Sequence, residues 1–327
     1  MKKQTAITIL GFAVSIVLLY FSLKGIHFNQ IWATLHKTNP VLALVPVFFV
    51  GCAVTIASFR WSRVAGSTVK FKETFAAMLI GMFVNNILPA RLGEVARGYV
   101  LGRKKNLSFT YAITTVLLDR FFDLTGLLVL VFIFFPASGL PPRVSQALYV
   151  LIGFLVFCIL LIIVLSRESL VKRLTARFGS IEKSFLSKLT KRVAEIQQNL
   201  KRIGSPLTII FFIFLSACVW LSMSMALYCV IRALGVSVPF HYVPFVCALL
   251  NLGLIIPSSP GYIGVYQWLI VNLLAIFNVT EAEGFTISIL YQASWFIPYT
   301  VVGFFFFLKE HLHMKDIRGL SPENKEG

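Results

Sequence analysis

Long apolar runs, separated by short polar or basic stretches, set the pattern of this chain. They fall near residues 5–23, 41–59, 74–90, 107–136, 148–165, 207–231, 241–257, 264–278 and 285–308. An α-helix rises 1.5 Å per residue, so crossing a hydrocarbon layer about 30 Å thick takes about 20 apolar residues. By that measure 41–59, 148–165, 207–231 and 285–308 cross, while 74–90, 241–257 and 264–278 are short. The run 5–23 exceeds the ~7–15 residues of a signal-peptide core. No small-residue cleavage site follows it, so it reads as a first membrane helix. The expected fold is all-α: a polytopic integral membrane helical bundle of about six full spans plus two re-entrant or broken hairpins.

Lys and Arg sort to one side of that bundle. The N-terminus, 60–73, 91–105, 166–206 and the tail from Lys309 hold 25 of the 30. Lys24, Lys37, Arg143 and Arg232 face the other way, and Arg120 lies inside a run. Basic loops stay in the cytoplasm, which predicts a cytoplasmic (inner) membrane protein with both termini cytoplasmic. Yet 60–73 and 91–105 are both basic with one short run between them. A re-entrant hairpin that dips in and returns resolves the conflict. Asn85, Asn86 and Pro89 suit its unwound tip, where polar groups must be lined by protein. Asn251 and the stretch Pro257-Ser-Ser-Pro260-Gly261-Tyr-Ile-Gly264 form a counterpart, either a hairpin entering from the outer face or a turn between two short helices. One broken element from each face is the pattern of an inverted repeat.

The membrane domain spans 1–310, followed by a polar cytoplasmic tail at 311–327. Within it, 166–206 carries apolar residues at steps of three or four, from Leu170 to Ile203, among many lysines and arginines. That is a basic amphipathic segment for the inner leaflet, or a solvated helix packed on the protein.

Composition sharpens this picture. Hydrophobic residues make up 57% and charged residues 13%, with a mean hydropathy of +0.83; soluble domains carry about 25% charged residues. The net charge of +17 fits basic loops against anionic lipid, and no basic stripe interleaved with aromatics suggests nucleic acid. The five cysteines all lie in apolar runs without metal-ligand spacing. The histidines are scattered, no hydrolase, Walker or dinucleotide motif is present, and no cofactor or metal is expected.

Candidate chemistry concentrates between Asn85 and Asp123. Arg91, Glu94 and Arg97 are three apart and share a helical face, with Pro89 where a helix begins. Two guanidinium forks near a helix N-terminus suit a phosphate; alternatively the arginines reach for the anionic leaflet. Asp119, Arg120 and Asp123 lie deep in the run 107–136. A charge in hydrocarbon costs at least ~2.5–3.5 kcal/mol, so they need partners or water. They either line a path or form a structural ion cluster with the hairpin arginines.

The run L-P-A-R-L-G-E-V-A-R-G-Y, then L-L-D-R-F-F-D, then P-S-S-P-G-Y-I-G-V-Y, resembles the lysylphosphatidylglycerol synthase transmembrane, or flippase-like, family, in order over nearly the whole chain. By motif position Arg91, Gly93, Glu94 and Arg97 match its L-P-x-R-x-G-E-x-x-R pattern, while Asp119-Arg120 stands where many members carry Glu-Arg. The resemblance implies a membrane domain with re-entrant segments that moves lipids between leaflets. The soluble aminoacyl-transferase domain of the two-part enzymes is not represented here. The expected function is a flippase for a phosphate-bearing lipid, phospholipid or polyprenyl-linked, binding at Arg91, Glu94, Arg97, Asp119, Arg120 and Asp123. Asn85, Asn86, Pro89, Gly93, Asn251, Pro257, Pro260, Gly261 and Gly264 would form its hairpins and gate. The alternative is a membrane-embedded transferase. Expected partners are membrane lipids, with a second copy or a separate lipid synthase also open.

Overall fold

A computed structural model describes residues 2–24, 26, 28–36, 38–88, 92–105, 107–134, 153, 205–254 and 259–313. Among them, all regular structure is helical. The order is α1 (Lys2–Leu23), α2 (Phe28–His36), α3 (Pro40–Val64), α4 (Phe71–Ile87), α5 (Gly93–Lys105), α6 (Phe109–Ile133), α7 (Pro206–Ala233), α8 (Val243–Gly253), α9 (Val265–Ala275) and α10 (Glu281–Lys309). By length and apolarity α3, α7 and α10 qualify as membrane spans. Helix α6 has 25 residues, long enough to cross, with Asp119 and Asp123 buried. The run 148–165, residues 166–204 of the amphipathic segment and the tail from 314 lie outside the described residues.

Local chemistry sets the helix ends. The Asn39 side chain accepts from the N–H groups of Val41 and Leu42 to start α3, Ser108 caps α6 and Ser205 caps α7. Such caps satisfy amides the helix itself leaves unpaired. At α4 the reciprocal bond is made by Glu73, whose Oε2 accepts from Lys70 N at 2.8 Å.

The antiparallel pair α3–α7 forms the spine, and Asn39 N donates to Ala233 O where α3 begins and α7 ends. Helices α4 and α5 fold back on each other as a hairpin. Lys105 pairs with Glu73 at 3.0 Å, and Lys104 pairs with Glu310. These contacts bring the start of α4, the end of α5 and the end of α10 to one end of the bundle. Tyr111 Oη donates to Ala65 O there as well, at 2.8 Å. The basic stretches 60–73 and 91–105 therefore meet at the same end, as a returning hairpin requires.

Helices α8 and α9 have 11 residues each, or about 16 Å at the helical rise, too short to cross. Tyr242 stacks on Phe277 at 5.0 Å, so α8 starts and α9 ends close together. That contact lies at the bundle end where α7 finishes and α10 starts, opposite the basic end. The stretch 241–278 is thus two short helices that return to the end they start from. Helix α4 also packs on the turn Pro260–Tyr262, so the two hairpins, entering from opposite ends, meet.

Candidate functional site: a buried ionic cluster

Glycine brings α4 and α5 together. A Cβ built at Gly93 would lie 2.0 Å from Gly81 O, and one at Gly81 would lie 2.8 Å from Gly93 O. The backbones touch directly. Asn85 Oδ1 accepts from Gly93 N at 2.8 Å, supplying the cap of α5. The helix thus begins at Gly93, four residues after Pro89, where the sequence had placed its start. Asn86 reaches the other way, donating to Thr300 Oγ1 at 2.9 Å and Phe296 O at 3.4 Å on α10. Pro89 and Arg91 lie outside the described residues.

This packing sets α5 beside α3 and α6, and six ionised side chains converge. Asp119 sits between two arginines: Arg60 Nε donates to its Oδ1 at 2.9 Å, and Arg97 donates to its Oδ2 at 3.1 Å. Arg60 also reaches Asp123 at 3.2 Å and Ser216 Oγ on α7 at 2.6 Å. Arg97 Nε lies 2.9 Å from Glu94 Oε2 in an ion pair without an aligned hydrogen bond. Its guanidinium rests over Trp61, 4.9 Å from the ring centroid, and contacts Met78 Sδ and Val116 O. Arg120 bridges Glu94 and Asp123, the latter at 3.0 Å. Three arginines face three carboxylates, so the cluster is neutral.

Exposure is graded across it. The side chains of Arg60, Arg97 and Asp119 are 1–2% exposed, whereas Arg120 is 41% and Glu94 29% exposed. A dry core therefore ends in an accessible rim. The core has the strong geometry a buried pair needs to offset its desolvation. Arg97 spends Nη1 and Nη2 on protein groups. Arg120 holds the cluster's accessible guanidinium among the described residues.

Arg60 went unrecognised as a site residue. Its placement in the basic loop 60–73 is corrected: it lies within α3, which continues to Val64, and is buried. The signal was present, because Ala57, Trp61 and Val64 continue the apolar period of α3 past Arg60.

The second constellation is polar but uncharged. Gln292 on α10 donates to Gly261 O at 2.6 Å and accepts from Gln267 Nε2 at 2.5 Å, while Gln267 Oε1 accepts from Gly264 N at 2.6 Å. Gly264 has φ 92°, and a Cβ there would lie 2.1 Å from Ser15 O on α1. Gly261, at φ 67°, packs on Phe296, the residue whose carbonyl Asn86 also contacts. Pro260 opens the short 3₁₀ turn beside them. Asn251 Nδ2 donates to Cys247 O at 2.8 Å inside α8. Pro257 lies outside the described residues. These contacts hold unwound backbone together, and among the described residues no group of three His, Cys, Asp or Glu could hold a metal ion.

Residues 8–303 match the family described as the lysylphosphatidylglycerol synthase TM region. The chain belongs to that family. It is similar to a UPF0104 membrane protein of Methanocaldococcus jannaschii, 24% identical over 247 residues that cover 75% of this chain and all of the relative. A UPF0104 membrane protein of Methanothermobacter thermautotrophicus is 23% identical over 305 residues, 90% of this chain and 91% of the relative. A second from the same organism is 24% identical over 305 residues, 86% and 88% respectively. Membership makes this a membrane protein of a family named for a lipid-synthesising enzyme, and its apolar helices meet hydrocarbon rather than water.

Proposed function

We propose that the protein moves a lipid with a phosphate-bearing headgroup between the leaflets of the cytoplasmic membrane, with both termini in the cytoplasm. One observation carries this reading: a neutral cluster of six ionised groups embedded among apolar helices, closed at its core and accessible at Arg120 and Glu94. Intramembrane ionisable groups are costly and characteristically mark a path. A purely structural cluster gains nothing from an open rim. A phosphate can replace Glu94 on the Arg120 fork, a bidentate exchange suited to guanidinium. Arg97 then keeps Glu94 from being left alone, and Arg60 and Asp119 hold the frame. The meeting hairpins, entering from opposite ends, supply the two halves whose relative movement would expose the rim alternately.

The test is reconstitution in liposomes carrying headgroup-labelled phospholipid, with leaflet exchange and lipid chemistry followed separately. Exchange in the wild type, reduced at least tenfold in Arg120→Ala with the protein still folded, is the expected result. A chemically altered lipid without exchange would establish the membrane transferase instead, and normal exchange in Arg120→Ala removes the rim from the mechanism.

A further inference from the structure

Glu94 and an anionic headgroup compete for one guanidinium. Arg120 turns Nη2 to Glu94 Oε1 and Nη1 to Asp123 Oδ2, the latter at 3.0 Å. A phosphodiester on the Nη2 side takes the place of the Glu94 carboxylate. Before it enters, three arginines and three carboxylates sum to zero. With one singly charged phosphodiester added they sum to minus one among apolar helices, where an uncompensated charge is costly. The displaced carboxylate then stands beside a second anion, and a like charge disfavours its ionised form. A phosphodiester stays ionised near neutral pH, so the carboxylate is the partner that can take a proton.

We infer that Glu94 is a proton-binding site linked to the headgroup: an anionic headgroup enters together with one proton, which adds to Glu94. This rests on the rim being the headgroup site. The proton comes from water at the rim, forms an O–H bond on the displaced carboxylate, and returns to water when the headgroup leaves. The loaded cluster stays neutral. The other two carboxylates are poorer acceptors. The Asp119 side chain is 2% exposed and lies between Arg60 and Arg97. That of Asp123 is 13% exposed and contacts Arg60 as well as Arg120. Both keep those partners when phosphate displaces Glu94. The Glu94 side chain is 29% exposed, within reach of water. On its own helix it faces Arg97 across 2.9 Å without an aligned hydrogen bond, and from α6 it faces Arg120. Helix α4 brings the neutral amide of Asn85 to Gly93 beside it, and Arg60, Asp119 and Asp123 complete the surrounding charges. Once protonated, Glu94 turns from acceptor to donor and can hold a phosphate oxygen that its carboxylate would repel.

Titration calorimetry of the full chain in mild detergent counts the proton. Binding of the water-soluble headgroup glycerophosphoglycerol is measured near neutral pH in two buffers of different ionisation enthalpy. The wild type should take up about one proton per headgroup bound, so its apparent affinity weakens by up to about tenfold per pH unit as pH rises. Glycerophosphocholine carries the same phosphodiester with a quaternary ammonium that restores neutrality itself, and should bind without uptake. Glu94→Gln, which cannot ionise, should bind glycerophosphoglycerol without uptake, and Glu94→Asp should retain the uptake. Circular dichroism and a monodisperse elution profile establish that each variant is folded, while the comparison of the two probes in the wild type needs no variant. Binding of glycerophosphoglycerol without uptake, as a further guanidinium such as Arg91 would permit, overturns the inference. Equal uptake with both probes, or uptake persisting in Glu94→Gln, does the same. Those outcomes leave the headgroup site standing, whereas failure of the wild type to bind either probe removes that site and the proton with it.

Discussion

Asp119 illustrates how an ionised residue survives among apolar helices. It is 1% exposed, yet each of its oxygens accepts from a different arginine, on α3 and on α5. Removing one member of a buried pair leaves an uncompensated charge and costs about 3–5 kcal/mol. Asp119→Ala, which takes the shared carboxylate from two buried guanidinium groups and leaves the cluster one positive charge in excess, is expected to lose folded protein in size-exclusion chromatography. Arg60→Ala should behave similarly, because it takes one of two guanidinium partners from both Asp119 and Asp123 and leaves the cluster one negative charge in excess. The double replacement Arg60→Met with Asp119→Leu removes one charge of each sign. It leaves Arg97 with Glu94 and Arg120 with Asp123. It should therefore recover most of the folded fraction lost by either single variant. If the double variant is no better than Asp119→Ala, the neutral-cluster account of stability fails. Arg120, at the rim, is expected to affect exchange more than folding.

The hairpin α4–α5 is the element on which the site depends. Its close approach needs hydrogen at both Gly81 and Gly93, since a Cβ at either overlaps the facing backbone oxygen. Gly93→Ala should separate the helices and lower the thermal midpoint by several degrees, because overpacking typically costs 1–3 kcal/mol. Asn85→Ala removes only the cap of α5, with an expected cost of about 1 kcal/mol. Glu73 acts at the hairpin's mouth. Burial pushes its carboxyl upward, but the bond from Lys70 N and the Lys105 ion pair outweigh it and hold the group below its usual range. Its contribution is therefore present above the usual carboxylate pKa and lost as pH falls through the lower folded value. Glu73→Gln should leave stability at pH values well below the usual carboxylate range closer to wild type than stability at pH 7, as measured by thermal unfolding in detergent. The partner hairpin is tied by amides rather than charges, so Gln292→Ala, which frees both Gly261 O and Gln267, should loosen it without a comparable pH response.

For the molecule as a whole, hairpins from opposite ends meet where α4 touches the turn at Pro260–Tyr262. The basic ends of α3, α4, α5 and α10 gather on one side. Single cysteines at Arg103→Cys and Ser237→Cys, in a background lacking the native cysteines, should react with an impermeant maleimide from opposite faces of sealed vesicles. Reaction of both from the same face would rule out the arrangement. The surface pairs Lys104–Glu310 and Lys105–Glu73 are expected to contribute at most about 1 kcal/mol each. Reversing them should barely alter folding.

The all-helical membrane architecture was legible in the order of residues, because hydrocarbon leaves backbone amides no partner except their own helix. The returning hairpin followed from two basic stretches too close together to lie on opposite faces. Glu94, Arg97, Asp119, Arg120 and Asp123 stood out because each is a charge in or beside an apolar run. Their pairing was another matter. Arg60 looked like the first residue of a loop, and nothing local to it announces a carboxylate 59 positions away. Burial of Arg97 and exposure of Arg120 likewise depend on how α5 and α6 pack. Hydropathy is a property of consecutive residues, whereas ion pairing and solvent access arise only between helices, so folding alone could decide them.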